Sequence, residues 1–325
     1  FYRKMGNMEI KRKIRNQEKR MVLNKIKNKI IMKLPNINRK INIILSECDL
    51  KRKVQPDIRD TEETIEYLLK TRCSMSRLGD GEFDQFSGGG DNYQRNDAEL
   101  SRKLKEVLHS NIQNHIVCVT NAIVNLDERT EENQVYWKEY LKSNRHKFYK
   151  NIDMKKTYYN TSATRVYKLL ADKELAGPRF EKWKKLWDGQ DVIFIEGKDT
   201  RMGVGNDLFS NAKSIRRIIG PSENAFDNWK ELLYEAEKIE KSALFILALG
   251  PTATVLSYEL AKVGYRALDL GHIDVEYEWF LKHDYQVTIR GKYTNEVQGG
   301  NKVEECEDEE YKKQIVYSTY WKEKK

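Results

Sequence analysis

Between residues 192 and 270 the chain alternates four short strand-like runs, 192–195, 215–219, 243–249 and 265–270, with stretches of helical character. Strands that alternate with helices make βαβ units, and such units build a parallel sheet. Right-handed crossovers then bring the loops that follow the strands to one edge of the sheet, where open α/β folds bind their ligands. Helices are expected over 225–240 and from 250–254 to 263, where Gly264 supplies the stop, with a shorter one near 207–213. The first half is less regular. Asp60 or Thr61 is placed to cap a helix running to Lys70, residues 73–78 read as a strand, Asp97 caps a helix over 98–110, and 115–120 read as a buried strand. Residues 131–186 read as mostly helical and rich in aromatics, among them Trp137, Tyr140, Phe148 and Trp183. The expected fold class is α/β: a mostly parallel sheet flanked by helices.

Charge divides the chain. Of its 325 residues, the first 55 hold 17 Lys or Arg against 4 Asp or Glu, whereas the remainder holds 42 basic and 46 acidic residues. A slightly acidic body thus carries a basic arm, and the boundary is expected at Gln55-Pro56-Asp57. The organisation predicted is an arm over 1–55, a single domain over 56–298 and a charged tail over 299–325, the last a surface helix or strand. Within the arm, residues 21–26 have amphipathic spacing, compatible with a packing helix or with one lying on an anionic membrane surface or a nucleic acid. The longest apolar run, 243–249, falls far short of the roughly 20 residues of a membrane span. Cys48, Cys73, Cys118 and Cys306 are widely separated, which excludes a zinc ribbon and a redox CxxC pair and fits a reducing cytoplasm.

Four segments just after predicted strands carry the candidate chemistry. In Arg77-Leu78-Gly79-Asp80-Gly81-Glu82-Phe83, an extended backbone would turn both Asp80 and Glu82 to one side. Two hard oxygen ligands beside glycines suit Mg²⁺ or Mn²⁺, although Gly-Asp-Gly is also ordinary turn chemistry. In 196–207, Gly203, Gly205, Asn206 and Asp207 form a glycine-containing loop before the expected short helix. Its N–H groups could hold phosphate, with Arg201 pairing directly. It is no P-loop, and Leu208 stands where a dinucleotide fingerprint needs its third glycine. Gly250-Pro251-Thr252-Ala253-Thr254 offers N–H groups and hydroxyls to phosphate or ribose, or simply a helix cap. Finally, His272, Asp274, Glu276 and Glu278 share a side if the chain is extended, whereas a helix would pair Asp274 with Glu278. One of the four could act as general base.

The blocks RLGDGEF, EGKDTRMGVGNDLF, LALGPTATVLSYEL and LDLGHIDVEYEWF, together with Lys292-Tyr293-Thr294-Asn295-Glu296, resemble the GT-D type glycosyltransferases, a bacterial family first catalogued as a domain of unknown function. The resemblance runs from about residue 58 to 297. It implies a Rossmann-like fold, a nucleotide-sugar donor and a divalent metal, and its DxE motif falls on Asp80 and Glu82. Leu78 stands where the family block is expected to have Phe, a change that leaves both ligands intact. The loops Gly203 to Asp207 and Gly250 to Thr254 are then expected nucleotide and diphosphate contacts, with Arg77 and Gly79 beside them.

On this reading the protein is a hexosyltransferase. It takes a UDP-sugar such as UDP-glucose with Mn²⁺ or Mg²⁺, and it acts in surface polysaccharide or glycoprotein biosynthesis. Glu278 is the expected base, with Glu276, Asp274 and His272 as competitors, and a single displacement inverts the anomeric centre. The acceptor is a glycan or glycoprotein, nucleic acid is not an expected partner, and the location is the cytoplasm, with the arm available to the inner face of the membrane. The rival readings are a nicotinamide-dependent Rossmann oxidoreductase and a nucleic-acid-binding protein that uses the arm.

Overall fold

The computed structural model describes residues 35–90, 93–285, 287–294 and 296–324. Nine strands form one sheet: β1 (Asp57–Ile58), β2 (Ser74–Leu78), β3 (His115–Val119), β4 (Thr157–Asn160), β5 (Asp191–Gly197), β6 (Ser214–Gly220), β7 (Leu244–Ala248), β8 (Arg266–Asp269) and β9 (Ile315–Ser318). Their order is β1-β4-β3-β2-β8-β7-β5-β6-β9, and every pairing is parallel. The α/β fold expected from the alternation is therefore present, and the four strand-like runs are β5 to β8.

Why the runs in β5 and β7 are continuously apolar rather than alternating follows from burial on both faces. Val192 and Phe194 of β5, with Leu244 and Ile246 of β7, pack into a core that includes Trp183, Trp187 and Trp279. Ile193, Ile195, Phe245 and Leu247 face a second core with Leu232, Leu256 and Leu260. The capping signals also hold. The Asp60 carboxylate accepts from Glu63 N at 2.8 Å while Glu63 accepts from Asp60 N at 3.1 Å, opening the helix Thr61–Thr71. Asp97 accepts from Leu100 N at 2.9 Å and opens Ala98–Leu108.

Residues 131–186 are mostly helical, as expected, but the helix Glu131–Asn151 ends before β4, a four-residue strand too short to show a period. One expectation is corrected. No helix forms near 207–213. Asn206 Oδ1 accepts from Leu208 N at 3.0 Å, a local turn that competes with a helical start, and Leu208 and Phe209 are drawn into the core. The charged tail supplies both the helix Glu309–Gln314 and β9, which pairs with β6.

Residues 35–53 form a separate unit with Lys138–His146. Within it, the helix Pro35–Leu50 places Asp49 Oδ2 3.1 Å from His146 Nδ1, and Ile37, Ile41, Ile44 and Leu45 are exposed along one stripe. The amphipathic stretch 21–26 lies outside the described residues. Among those described, no helix is long and apolar enough to cross a membrane.

His115 on β3 couples this fold to pH. Its Nε2 lies 2.9 Å from Ser76 Oγ, its buried Nδ1 has no partner, and burial, aided by Lys156, lowers its pKa to about 3. Below about pH 6.5 the unfolded chain binds a proton that the folded chain refuses, so stability falls with falling pH by up to about 1.4 kcal/mol per unit. Urea unfolding at pH 6.5 and pH 5 should show the wild type losing about 1.5 kcal/mol more than His115→Gln; equal losses contradict the coupling.

Candidate active site

The sheet order reverses between β2 and β8. From β2 the chain moves through β3 and β4 to one side, and β8 to β5 lie on the other. A switch point of this kind opens a crevice at the carboxyl ends of the strands. A cleft of about 640 Å³ occupies that edge, lined from the β2 end by Gly79, Asp80 and Glu82, from the β4 end by Thr161 and Ser162, and from the β8 end by Gly271 and His272.

Arg77 and Asp269 close the floor of the switch point. Arg77 Nη2 lies 2.8 Å from Asp269 Oδ1, and its Nε donates to the Asp269 carbonyl at 2.7 Å. Thr254 Oγ1 donates to the Arg77 carbonyl at 2.8 Å. Gly271, at φ +52°, is required here, because a Cβ would come 2.0 Å from Arg77 Nη2.

Asp80 and Glu82 both line the cleft, but not as an extended pair. Gly79 is extended and caps a short helix, Asp80–Gln85, so the two carboxylates lie in its first turn. Glu82 Oε2 turns back to accept from Gly79 N at 2.7 Å. Burial pushes its carboxyl up to about 7 despite that bond, and the Asp269 charge adds to the rise. Tyr136 OH donates to Asp80 Oδ2 at 3.3 Å.

The other predicted residues separate into those that reach the cleft and those that do not. Gly250 and Pro251 line it, with Gly250 at φ +53° as the cap residue of the helix Pro251–Lys262. Thr252, Ala253 and Thr254 are buried beneath, and the Thr254 hydroxyl is committed to Arg77. The cap is thus a glycine, neither threonine. Arg201 is buried and does not line the cleft: Nη1 donates to the Gly291 carbonyl at 3.0 Å and Nη2 to that of Glu304 at 2.7 Å. Gly203, Gly205, Asn206 and Asp207 also lie outside the cleft lining, and the helix start expected to help them is absent. Gly203 N donates to Asp274 Oδ1 at 2.9 Å, and Asp207 pairs with Lys184 and Tyr277.

The segment after β8 is the helix Ile273–Lys282, with His272 at its cap, so the extended reading gives way to the helical one. Asp274 and Glu278 share a face as that reading requires, and both contact Asn206 Nδ2 and Lys292 Nζ in a buried cluster. Glu278 is therefore outside the cleft. Asp274 reaches its edge with both carboxylate oxygens engaged. Glu276 is fully buried and accepts from the N–H groups of Tyr167 and Lys168 at 2.9 and 2.7 Å and from Arg165. His272 alone of the four presents a ring to the cleft without a strong partner. Its Nε2 lies 3.5 Å from Tyr93 OH and 3.7 Å from Glu296 Oε1. Burial, with Arg165 nearby, lowers its pKa to about 4, so it is neutral at pH 7. Glu296 is bound by Arg165 and by Lys168 Nζ at 2.8 Å, which outweigh burial and hold it well below the usual carboxylate range.

Sequence reasoning missed Asp269, Arg129, Tyr136, Arg165 and Lys168 as cleft residues. Asp269 left a usable signal, a carboxylate ending an apolar strand, and Glu296 lay inside a quoted block without a role. The others come from loops and helix starts whose position only the sheet order determines.

Comparison with known proteins agrees with this fold. The family described as "Glycosyltransferase GT-D fold" matches residues 75–297. The "Probable glycosyl transferase Gly" of Streptococcus gordonii is 36% identical over 264 residues, which are 81% of this chain and 39% of that protein. "Glycosyltransferase GlyD" of Streptococcus pneumoniae is 36% identical over 80% of this chain and 32% of its own length. The chain thus spans about a third of the length of these relatives. A solved glycosyltransferase from Streptococcus sanguinis, of domain of unknown function 1792, superposes with a TM-score of 0.77 at 35% identity, covering 81% of this chain and 99% of that one. A second structure of that domain, described as having a distinct glycosyltransferase fold, gives 0.76 at 35% identity over 86% and 99%. With the family matched across its sheet and switch point, the chain belongs to the glycosyltransferases of the GT-D fold.

Proposed function

We propose that this chain transfers a hexose from a nucleotide-sugar, a UDP-hexose such as UDP-glucose, to a glycan acceptor, in a metal-dependent reaction that inverts the anomeric centre. The observation that carries the reading is the position of Asp80 and Glu82: two carboxylates at the end of β2, beside the switch point, facing a cleft of about 640 Å³. The pair fits a hard cation. Glu82 ionises reluctantly as it stands, which is how a buried carboxylate behaves when a positive partner would complete it. Among the described residues no group of three or more His, Cys, Asp or Glu is placed to hold a metal ion, so the protein would offer only these two carboxylates. A two-carboxylate site would suit Mg²⁺ or Mn²⁺, which fill their remaining positions with water and phosphate oxygens. Bound there, such an ion would neutralise charge developing on the departing diphosphate.

The chain's own residues do the rest. Gly250 and Pro251 let the backbone approach the donor closely, and Arg77 contributes positive field while it remains locked to Asp269. Of the four base candidates, His272 is assigned the role in place of Glu278, because its neutral ring faces the cleft. It takes the proton from the acceptor hydroxyl, and Glu296 at 3.7 Å steadies the imidazolium. Tyr136, in the first turns of Glu131–Asn151, offers a sugar ring an exposed aromatic face, with Trp137 packed edge-on behind it. Surface polysaccharides and glycoproteins are the acceptor classes in view. The excess of basic residues over 1–55 suits peripheral contact with an anionic membrane surface.

Two substitutions test these roles. Asp80→Asn with Glu82→Gln should leave a folded protein that Mn²⁺ no longer stabilises and whose transfer from UDP-hexose falls by more than about 100-fold; transfer retained in metal-stripped protein rules the pair out as a cation site. His272→Gln should lower kcat by about 10²- to 10⁴-fold with UDP affinity unchanged, measured by product assay and calorimetry. A kcat near that of the wild type removes His272 as the base.

A further inference from the structure

Arg129 precedes Thr130, the cap residue of Glu131–Asn151, and lines the cleft although only 5% of it is exposed. Its Nη1 donates to Asn133 Oδ1 at 2.9 Å, and its Nη2 to Asn121 Oδ1 at 2.9 Å and Ser162 Oγ at 2.8 Å. These use three of the five guanidinium N–H donors. Nε–H and the second Nη1–H have no acceptor among the described residues. All three acceptors are neutral. The other cations that line the cleft each have a carboxylate: Arg77 has Asp269, Arg165 has Glu276 and Glu296, and Lys168 has Glu296. Arg129 has none within ion-pairing distance among the described residues. Its guanidinium lies 5.7 Å from the Trp137 ring centre, which stiffens it further.

A guanidinium taken from water without a counter-charge is costly, and neutral oxygens orient it without neutralising it. The charges that act on it from nearby are those of Asp80 and, more weakly, Glu128. A cation on Asp80 would consume the larger of these, and Glu128 is already paired with Arg179, so Arg129 would be left undercompensated beside it. An oxyanion between the two would satisfy both.

We propose that Arg129 is an oxyanion site that receives a phosphate oxygen of the donor's diphosphate through its Nε–H and Nη1–H. This rests on the transferase reading for the identity of the donor, not for the existence of the site. The test is calorimetric titration of the full chain with pyrophosphate, UDP and uridine, with Mn²⁺ and with EDTA, on wild type, Arg129→Met and Arg129→Lys. Pyrophosphate and UDP should bind the Met variant about 10- to 100-fold more weakly, with uridine unaffected. The Lys variant, which keeps the charge and loses the fork, should fall between, and it carries the test if thermal melting shows the Met variant unfolded. Pyrophosphate binding that these variants lose, in a wild type that binds no nucleotide, upholds the oxyanion site and overturns the UDP-sugar reading. Equal affinities in all three proteins overturn the site and leave the transferase reading standing.

Discussion

The Arg77–Asp269 pair holds the two halves of the sheet at the place where the chemistry is proposed. β2 and β8 register through one pair of residues, Met75 with Leu268, whereas β2 and β3 register through five. The backbone ladder alone is thus thin at the switch point, and the side chains supply the fastening. Asp269 is 2% exposed and accepts from Arg77 through Nε, Nη2 and the backbone N–H, and Thr254 ties the next helix to the same two residues. A buried pair of this sort is strongly destabilising to break, because the survivor is left uncompensated. Its influence extends to the cleft, since the Asp269 charge raises the Glu82 carboxyl and Arg77 opposes that rise.

What could be read from the sequence follows from how local its cause is. The expected strand 243–249 and the observed β7 differ by a residue at each end because a run apolar on both faces has few other places to go. The cap at Asp60 needs only Glu63 three positions away. The short helix near 207–213 failed because the decisive event is a turn at Asn206 joined to burial of Leu208 and Phe209 in a distant core. β4 was missed, and β9 was legible only as a helix or a strand, for the same reason: four-residue strands carry no period, and their pairing with β3 and β6 is decided by tertiary context.

The candidate site shows the same limit. Asp80 and Glu82 were found from spacing and resemblance, and both reach the cleft, though through a helical turn that the extended reading did not contain. Arg201 carried the right charge in the right loop, but the carbonyls of Gly291 and Glu304 claim it. Glu278 looked like a base because carboxylates cluster there; Lys292, fourteen residues on, neutralises that cluster. Arg129 carried no signal at all, since its meaning depends on which of its neighbours lack charge.

Together these placements put a carboxylate pair, a neutral histidine and an unpaired guanidinium around one cleft, an arrangement suited to a diphosphate leaving group and a hydroxyl nucleophile. The most direct measurement of that account is a thermal-unfolding series with UDP, GDP, ADP and NAD, each with Mn²⁺ or with EDTA. A ligand at about 100 times its dissociation constant adds about 2.7 kcal/mol of stability. The account predicts a rise in Tm with UDP that requires Mn²⁺. A rise with NAD alone, or a rise with UDP that EDTA leaves untouched, contradicts it.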